Sequence, residues 1–307
     1  MLKGERLASF EVLSGGKANT NLRLVCKGST PDLVLRIYQR DPAQREKEVA
    51  ICGLLGNQVP VPDIIVHGAE SGVLHEPFAL MAFVEGQTIE ARFQMLDASE
   101  RMALGHSLGS TLAAIHAKTY ESAGFLNEDL QVATPLPNGG QGLCSVLDWL
   151  LDENDASLRL GPDRCAALRE HMAQRIAKFD AWPPLPRLVH GDFGFSNILI
   201  TGEGSDVRVA AVLDWEFALA ATPLLDLGNL IRPPAGEDAG FVDALAQGYR
   251  SVEPGLPQDW VDLSRAVDLT AWVDFAGRPD APEDLLDHAR SMIDRILGST
   301  SKKNGTP

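Results

Sequence analysis

Leu188-Val-His-Gly-Asp-Phe-Gly-Phe-Ser-Asn-Ile-Leu-Ile200 decides how this 307-residue chain is read. Its apolar ends, Leu188 to His190 and Asn197 to Ile200, have the length and composition of short strands. Between them, His190, Gly191 and Asp192 precede Asn197 by a gap that a loop spans. The next apolar segment, Val207 to Leu213, runs into Val212-Leu-Asp-Trp-Glu216. An acid that accepts a hydroxyl proton, with an amide oxygen and a second acid that hold Mg2+, are the parts phosphoryl transfer needs, because its catalysis is mostly positioning and charge neutralisation. Asp192, Asn197 and Asp214 are those residue types at that spacing.

Outward from this stretch the pattern changes character. Trp182-Pro183-Pro184-Leu185-Pro186 stops any helix, and before it lie helical patterns at Leu147 to Leu151 and Ala166 to Phe179. The Pro- and Gly-rich segment Val132 to Gly142 is expected to loop. Asp97 and Glu100 can form a capping box for a helix in which Leu104, Leu108, Leu112 and Ile115 lie on one face, ending near His116. Earlier still the chain is strand-rich, with Phe10 to Leu13, Thr20 to Cys26, Asp32 to Tyr38, Ile64 to Val66 and Phe78 to Val84 bounded by turn residues, and one helix over Arg45 to Leu55. Beyond the second motif the chain is helical to about Leu297. An α+β fold follows: an N-terminal antiparallel sheet with one main helix over residues 1–85, a mostly helical lobe over 86–298, and a polar, disordered tail at 299–307.

The motifs resemble those of the aminoglycoside phosphotransferase and choline kinase family of small-molecule kinases, whose H-G-D-x-x-x-x-N loop and D-x-D/E metal motif stand here as His190 to Asn197 and Asp214 to Glu216. The resemblance implies a bilobal protein-kinase-like fold, with residues 1–85 as the nucleotide-binding lobe. It implies Asp192 as catalytic base, Asn197 and Asp214 as Mg2+ ligands, and Glu216 as a weaker metal or supporting candidate. It makes Ser14-Gly15-Gly16-Lys17-Ala18-Asn19-Thr20 the loop over the nucleotide, where Gly15, Gly16 and Asn19 approach phosphate oxygens. Arg36 matches the basic residue that pairs with ATP phosphates, and Glu48 the helix acid that holds it, with Glu46 a competitor in the same run. Phe78 to Val84 matches the hinge strand, whose backbone near Met81 to Phe83 meets adenine. Leu112 to Ala117 and Pro223-Leu-Leu-Asp226 resemble further family segments, so that the match covers about residues 10 to 232. His190, His116 and Asp226 read as braces, and Gly15 and Gly16 alone would read as a hairpin turn.

Composition narrows the remaining choices. Lys plus Arg total 27 against 42 for Asp plus Glu, a formal net charge of −15, which argues against a nucleic-acid partner. No apolar run reaches the length of a membrane span or a secretory signal core, so a cytoplasmic location without a membrane partner is expected. Cys26, Cys52, Cys144 and Cys165 form no C-x-x-C pair and read as reduced core residues, and Trp149, Trp215, Trp260 and Trp272 also read as core. The acids of Asp148-Trp-Leu-Leu-Asp152-Glu-Asn-Asp155 either favour a cationic acceptor or form a solvated face. Two functions stand: an ATP- and Mg2+-dependent kinase of a small-molecule hydroxyl, and a nucleotide-binding regulatory module, or pseudokinase, without turnover. A protein kinase is disfavoured, because Asp214-Trp-Glu leads almost directly to Pro223 and leaves no room for an activation segment. Oligomeric state is left open by the sequence.

Overall fold

The computed structural model describes residues 7–13, 19–28, 31–41, 43–71, 74–153 and 155–301. The N-terminal strands β1 (Leu7–Val12), β2 (Thr20–Cys26), β3 (Leu33–Ile37), β4 (Ile64–Gly68) and β5 (Phe78–Ala82) form one sheet in the order β1-β2-β3-β5-β4. Every neighbouring pair is antiparallel. The helix α1 (Gln44–Leu55) joins β3 to β4 and buries Glu48, Ile51, Cys52 and Leu55 on one side, the i, i+3, i+4, i+7 stripe of an amphipathic helix. Ile51, Cys52 and Leu55 belong to the core of the helical part, so α1 is the piece of the first lobe that packs into the second.

After β6 (Gln87–Thr88) and a single turn α2 (Ile89–Arg92), α3 (Ala98–Ile115) begins at the expected capping box: the Asp97 side chain accepts from Glu100 N–H, and Glu100 accepts from Asp97 N–H. Its Leu104, Leu108, Leu112 and Ile115 are wholly buried, each such side chain contributing about 2 kcal/mol by leaving water. Two small antiparallel sheets follow. The first pairs β6 with β10 (Ile198–Thr201) and β10 with β11 (Arg208–Val212). The second has the order β8 (Val132–Pro135), β7 (Gly124–Leu126), β12 (Leu219–Ala221), β9 (Arg187–Val189). Around them stand α4 (Gly139–Glu153), α5 (Ala156–Leu160), α6 (Pro162–Ala173), α7 (Ile176–Ala181), α8 (Leu224–Leu230), α9 (Ala239–Val252), α10 (Trp260–Gly277) and α11 (Glu283–Ser301). α3 and α9 cross closely enough that a Cβ on Gly109 would lie 2.0 Å from Leu245 O, so the crossing tolerates only glycine there.

Several expectations are corrected. Val132 to Gly142 is not all loop: β8 takes Pro135 into an edge strand, where its missing N–H costs no ladder bond, and α4 starts at Gly139 because Asp180 Oδ1 accepts Gly140 N–H at 2.7 Å. Ala166 to Phe179 is two helices, since Arg175, outside helical continuity, turns its buried guanidinium to His171 O and Asp262. Trp149 is exposed, because α4 turns Leu147, Leu150 and Leu151 inward and leaves position 149 outside. Only Cys52 and Cys165 are buried, while Cys26 and Cys144 are half-buried, and all four are free thiols. The backbone of α11 stays helical to Ser301, past the expected start of the tail at 299, and residues 302–307 lie outside the described residues. No helix among the described residues is long and apolar enough to cross a membrane.

Candidate active site

The loop between β9 and β10 carries His190, Gly191, Asp192 and Asn197, and it is held from beneath. Asp226 of α8 is wholly buried and its carboxylate accepts the N–H groups of His190 at 2.7 Å and Gly191 at 2.9 Å, plus His116 Nε2 at 3.1 Å. His116 Nδ1 then meets the Tyr249 hydroxyl at 2.9 Å. Gly191 has φ +83°, and a Cβ there would lie 2.4 Å from Phe217 O, so both the backbone conformation and the space require glycine. His190 is buried against Trp215, its Nε2–H donates to Leu213 O at 2.9 Å, and its Nδ1 accepts Asp192 N–H at 3.2 Å. With both ring nitrogens engaged, His190 is a brace rather than a proton carrier.

The Asn197 amide turns its nitrogen to Asp192, donating to Asp192 O and Asp192 Oδ2 at 2.9 Å each. Its own backbone O accepts Leu213 N–H at 2.8 Å, which sets Asp214 beside the same loop. Asp214 adopts φ 67° and ψ 65°, a left-handed conformation that costs a non-glycine residue about 1 kcal/mol or more. Arg36 reaches across from β3: NH2 lies 2.6 Å from Asp214 Oδ1, and Nε forms an ion pair with Glu48 Oε2 at 3.2 Å. Glu48 also accepts the Tyr38 hydroxyl. Burial alone would lower the Arg36 pKa, but the carboxylates of Glu48 and Asp214 outweigh it and hold the guanidinium above its ordinary value. Burial likewise pushes Glu48 upward, against the pull of Arg36. Glu46 lies elsewhere, paired with Arg45 and 3.6 Å from His67. Burial, with the nearby Asp214 charge, raises the Glu216 carboxyl.

Of the residues expected around the nucleotide, Gly15 and Gly16 lie outside the described residues. Asn19 is buried and its Oδ1 accepts Gln39 N–H at 3.3 Å, a tie between β2 and the end of β3. Met81 is buried inside the sheet, paired with Val34 and Ile64. Ala82 N–H donates to Asp63 O at 2.9 Å and Phe83 N–H to Asp32 O at 3.0 Å, while Arg23 caps the Phe83 ring at 4.0 Å. The sheet thus uses the expected hinge donors, and Val84 has the first backbone N–H past β5 with no acceptor among the described residues.

Mg2+ keeps several waters and binds through one or two carboxylates plus phosphate oxygens. Among the described residues Asn197 Oδ1 is met only by the Ser196 hydroxyl at 3.4 Å and Asp214 Oδ2 accepts no protein donor, and both are hard oxygen donors of that kind. Among the described residues no three His, Cys, Asp or Glu side chains group as a metal site, so an ion here would depend on these two oxygens and on the nucleotide. Behind the loop between β9 and β10, Leu219 lies 3.1 Å from where a Gly191 Cβ would be and also lines an apolar cavity of ≈ 140 Å3 with Leu136, Leu143, Phe179, Leu225 and Val267. Asp148 and Asp152, in the acidic segment, pair with Arg169 at 2.6 and 3.2 Å, so the solvated-face reading fits them better.

The model of a family described as "phosphotransferase enzyme family" matches residues 9–260. Among solved structures, the chain is similar to aminoglycoside phosphotransferase APH(4)-Ia in a ternary complex with AMP-PNP and hygromycin B (20% identity, TM-score 0.66, 98% of this chain and 95% of that one). It is also similar to macrolide 2'-phosphotransferase MphH from Brachybacterium faecium (18% identity, TM-score 0.64, 95% of each chain). Curated relatives include acyl-CoA dehydrogenase family member 11 of Gallus gallus, 28% identical over 171 residues, and of Homo sapiens, 27% over 173. Each match covers 55% of this chain, and 20% of the relative's length.

Proposed function

The chain belongs to the phosphotransferase enzyme family, and we propose that it is a small-molecule kinase, moving the γ-phosphoryl group of ATP, with Mg2+, to a hydroxyl of a small molecule. The observation that carries this reading is one continuous set of contacts, Asp192 to Asn197 at 2.9 Å, Asn197 through Leu213 to Asp214, and Asp214 to Arg36 at 2.6 Å, at the junction of the two lobes.

Mechanism follows from the positions. Nucleotide phosphates lie against Arg36, whose planar fork can exchange Asp214 for phosphate without leaving Glu48. Asn197 and Asp214 would hold Mg2+, which supplies charge neutralisation for the transferring phosphoryl group. Asp192 orients the acceptor hydroxyl and takes its proton, while the Asn197 amide and the Asp226-anchored backbone keep that carboxylate aimed. The Val84 N–H is the available backbone donor for adenine. The pairing of Asp148 and Asp152 with Arg169 weakens the case for a polycationic acceptor. An alcohol on an acyl chain has support of its own: the apolar cavity behind Leu219, and relatives named for acyl-CoA dehydrogenation. Purified protein with ATP and Mg2+ is to be tested on aminoglycosides, amino alcohols and hydroxyacyl thioesters. Acceptor-dependent ADP release is the expected result, and ATP binding without turnover on any of them would overturn the proposal.

A further inference from the structure

Lys47 is 7% exposed, within the charged run Arg45-Glu-Lys-Glu48 of the first turn of α1. Its ammonium makes no ion pair with a carboxylate among the described residues. Nζ instead donates to Glu216 O at 2.6 Å and reaches Ala218 O at 3.4 Å. Burial holds its pKa below the ordinary lysine value. A buried ammonium is costly unless its protons are met, so its place against two backbone carbonyls asks what those carbonyls do. Both lie just after Asp214, on the short turn Trp215–Phe217 and the residue that ends it. Glu48, the next residue of α1, holds Arg36, and Arg36 holds Asp214. The contacts close a ring: α1 through Lys47 to the turn, back along the chain to Asp214, across to Arg36, and through Glu48 to α1 again. Adjacent residues of one helix turn therefore fix both the arginine and the loop it faces.

We propose that Lys47 is a positioning residue whose ammonium clasps the loop 214–218 to α1 and so sets Asp214 against Arg36 for phosphoryl transfer. This rests on the function proposed above. The test compares wild type with Lys47→Met, Lys47→Gln and Lys47→Arg. In ligand-free protein, hydrogen exchange should rise in Lys47→Met across residues 214–219 and α1 while α3 and α9 stay as in wild type. Turnover per ADP-binding site should fall about 10- to 100-fold, as misplacement near 1 Å does, with acceptor KM nearly unchanged and part of the rate recovered in Lys47→Arg. Exchange and turnover per site at wild-type level would overturn the proposal, as would a rise in exchange spread equally over α3 and α9, the mark of general fold support. If Lys47→Met does not fold, Lys47→Gln, which keeps a donor, carries the same comparison. A wild-type protein with no turnover on any acceptor overturns the functional reading, and the exchange comparison then decides the clasp by itself.

Discussion

Asp192 and Asp214, the two acids of the candidate site, are held in opposite ways. Asp192 sits on a loop fixed from below by buried groups of one lobe: Asp226 grips backbone N–H groups, His190 fills its pocket, and Gly191 leaves no room for a side chain. Asp214 is held from above, across lobes, by the Arg36 side chain, and its own carboxylate is 31% exposed. Backbone bonds to a buried carboxylate have no easy substitute, whereas a charge pair at a cleft can trade one anion for another. The lower acid therefore belongs to a rigid platform and the upper one to an adjustable clamp, a division suited to the base and the phosphate site proposed for them.

Three substitutions bear on this contrast, and a fourth serves as a control away from it. Asp226→Ala should destabilise most, by about 3–5 kcal/mol, since it strands buried donors from His190, Gly191 and His116; a denaturant midpoint close to wild type would show that the platform is not held as described. Gly191→Ala should cost about 2 kcal/mol or more, from a left-handed φ and a clash with Phe217 O, with turnover falling in parallel. Asp214→Gly should abolish turnover yet leave stability within about 1 kcal/mol of wild type, because relief of the left-handed strain offsets the lost ion pair. A large loss of stability there would erase the difference between platform and clamp. The smallest effect is remote from both. Burial, then the Arg175 charge, lowers the His171 pKa from 6.5 to about 4. The native state thus binds fewer protons than the unfolded one in that window, and stability should fall as pH drops from 6.5 towards 4. In His171→Phe a thermal scan against pH should show that slope flattened, with activity at neutral pH retained.

What the sequence disclosed follows the range of the interactions involved. β2 spans Thr20–Cys26, the bounds expected from an apolar and β-branched run between turn residues, and α3 starts at its capping box, since both signals are local. Asp192, Asn197 and Asp214 are legible as a group because the loop and the strand after it bring them together over a short stretch of chain. The strands Gly124–Leu126 and Leu219–Ala221 escape notice, being too short for a period and formed only by pairing with distant segments. α4 hides its start behind glycines, because its cap comes from Asp180 of another helix. Glu48, matched to Arg36 in the sequence ahead of Glu46, is the acid that pairs with it, whereas nothing local marks Lys47 as buried until the Glu216 carbonyl, 169 residues away, is folded against it.

Phosphoryl transfer as proposed requires Asp192 to act on a hydroxyl whose phosphoryl donor is bound beside it. Asp192→Asn keeps an oxygen and nearly the same shape, so the protein should fold and bind ATP as wild type does. Its acceptor-dependent ADP release, on whichever alcohol the wild type uses best, should fall about 100-fold or more, the contribution of a positioned general base. A variant that binds ATP and still releases ADP with that acceptor at the wild-type rate would contradict the assignment of the site.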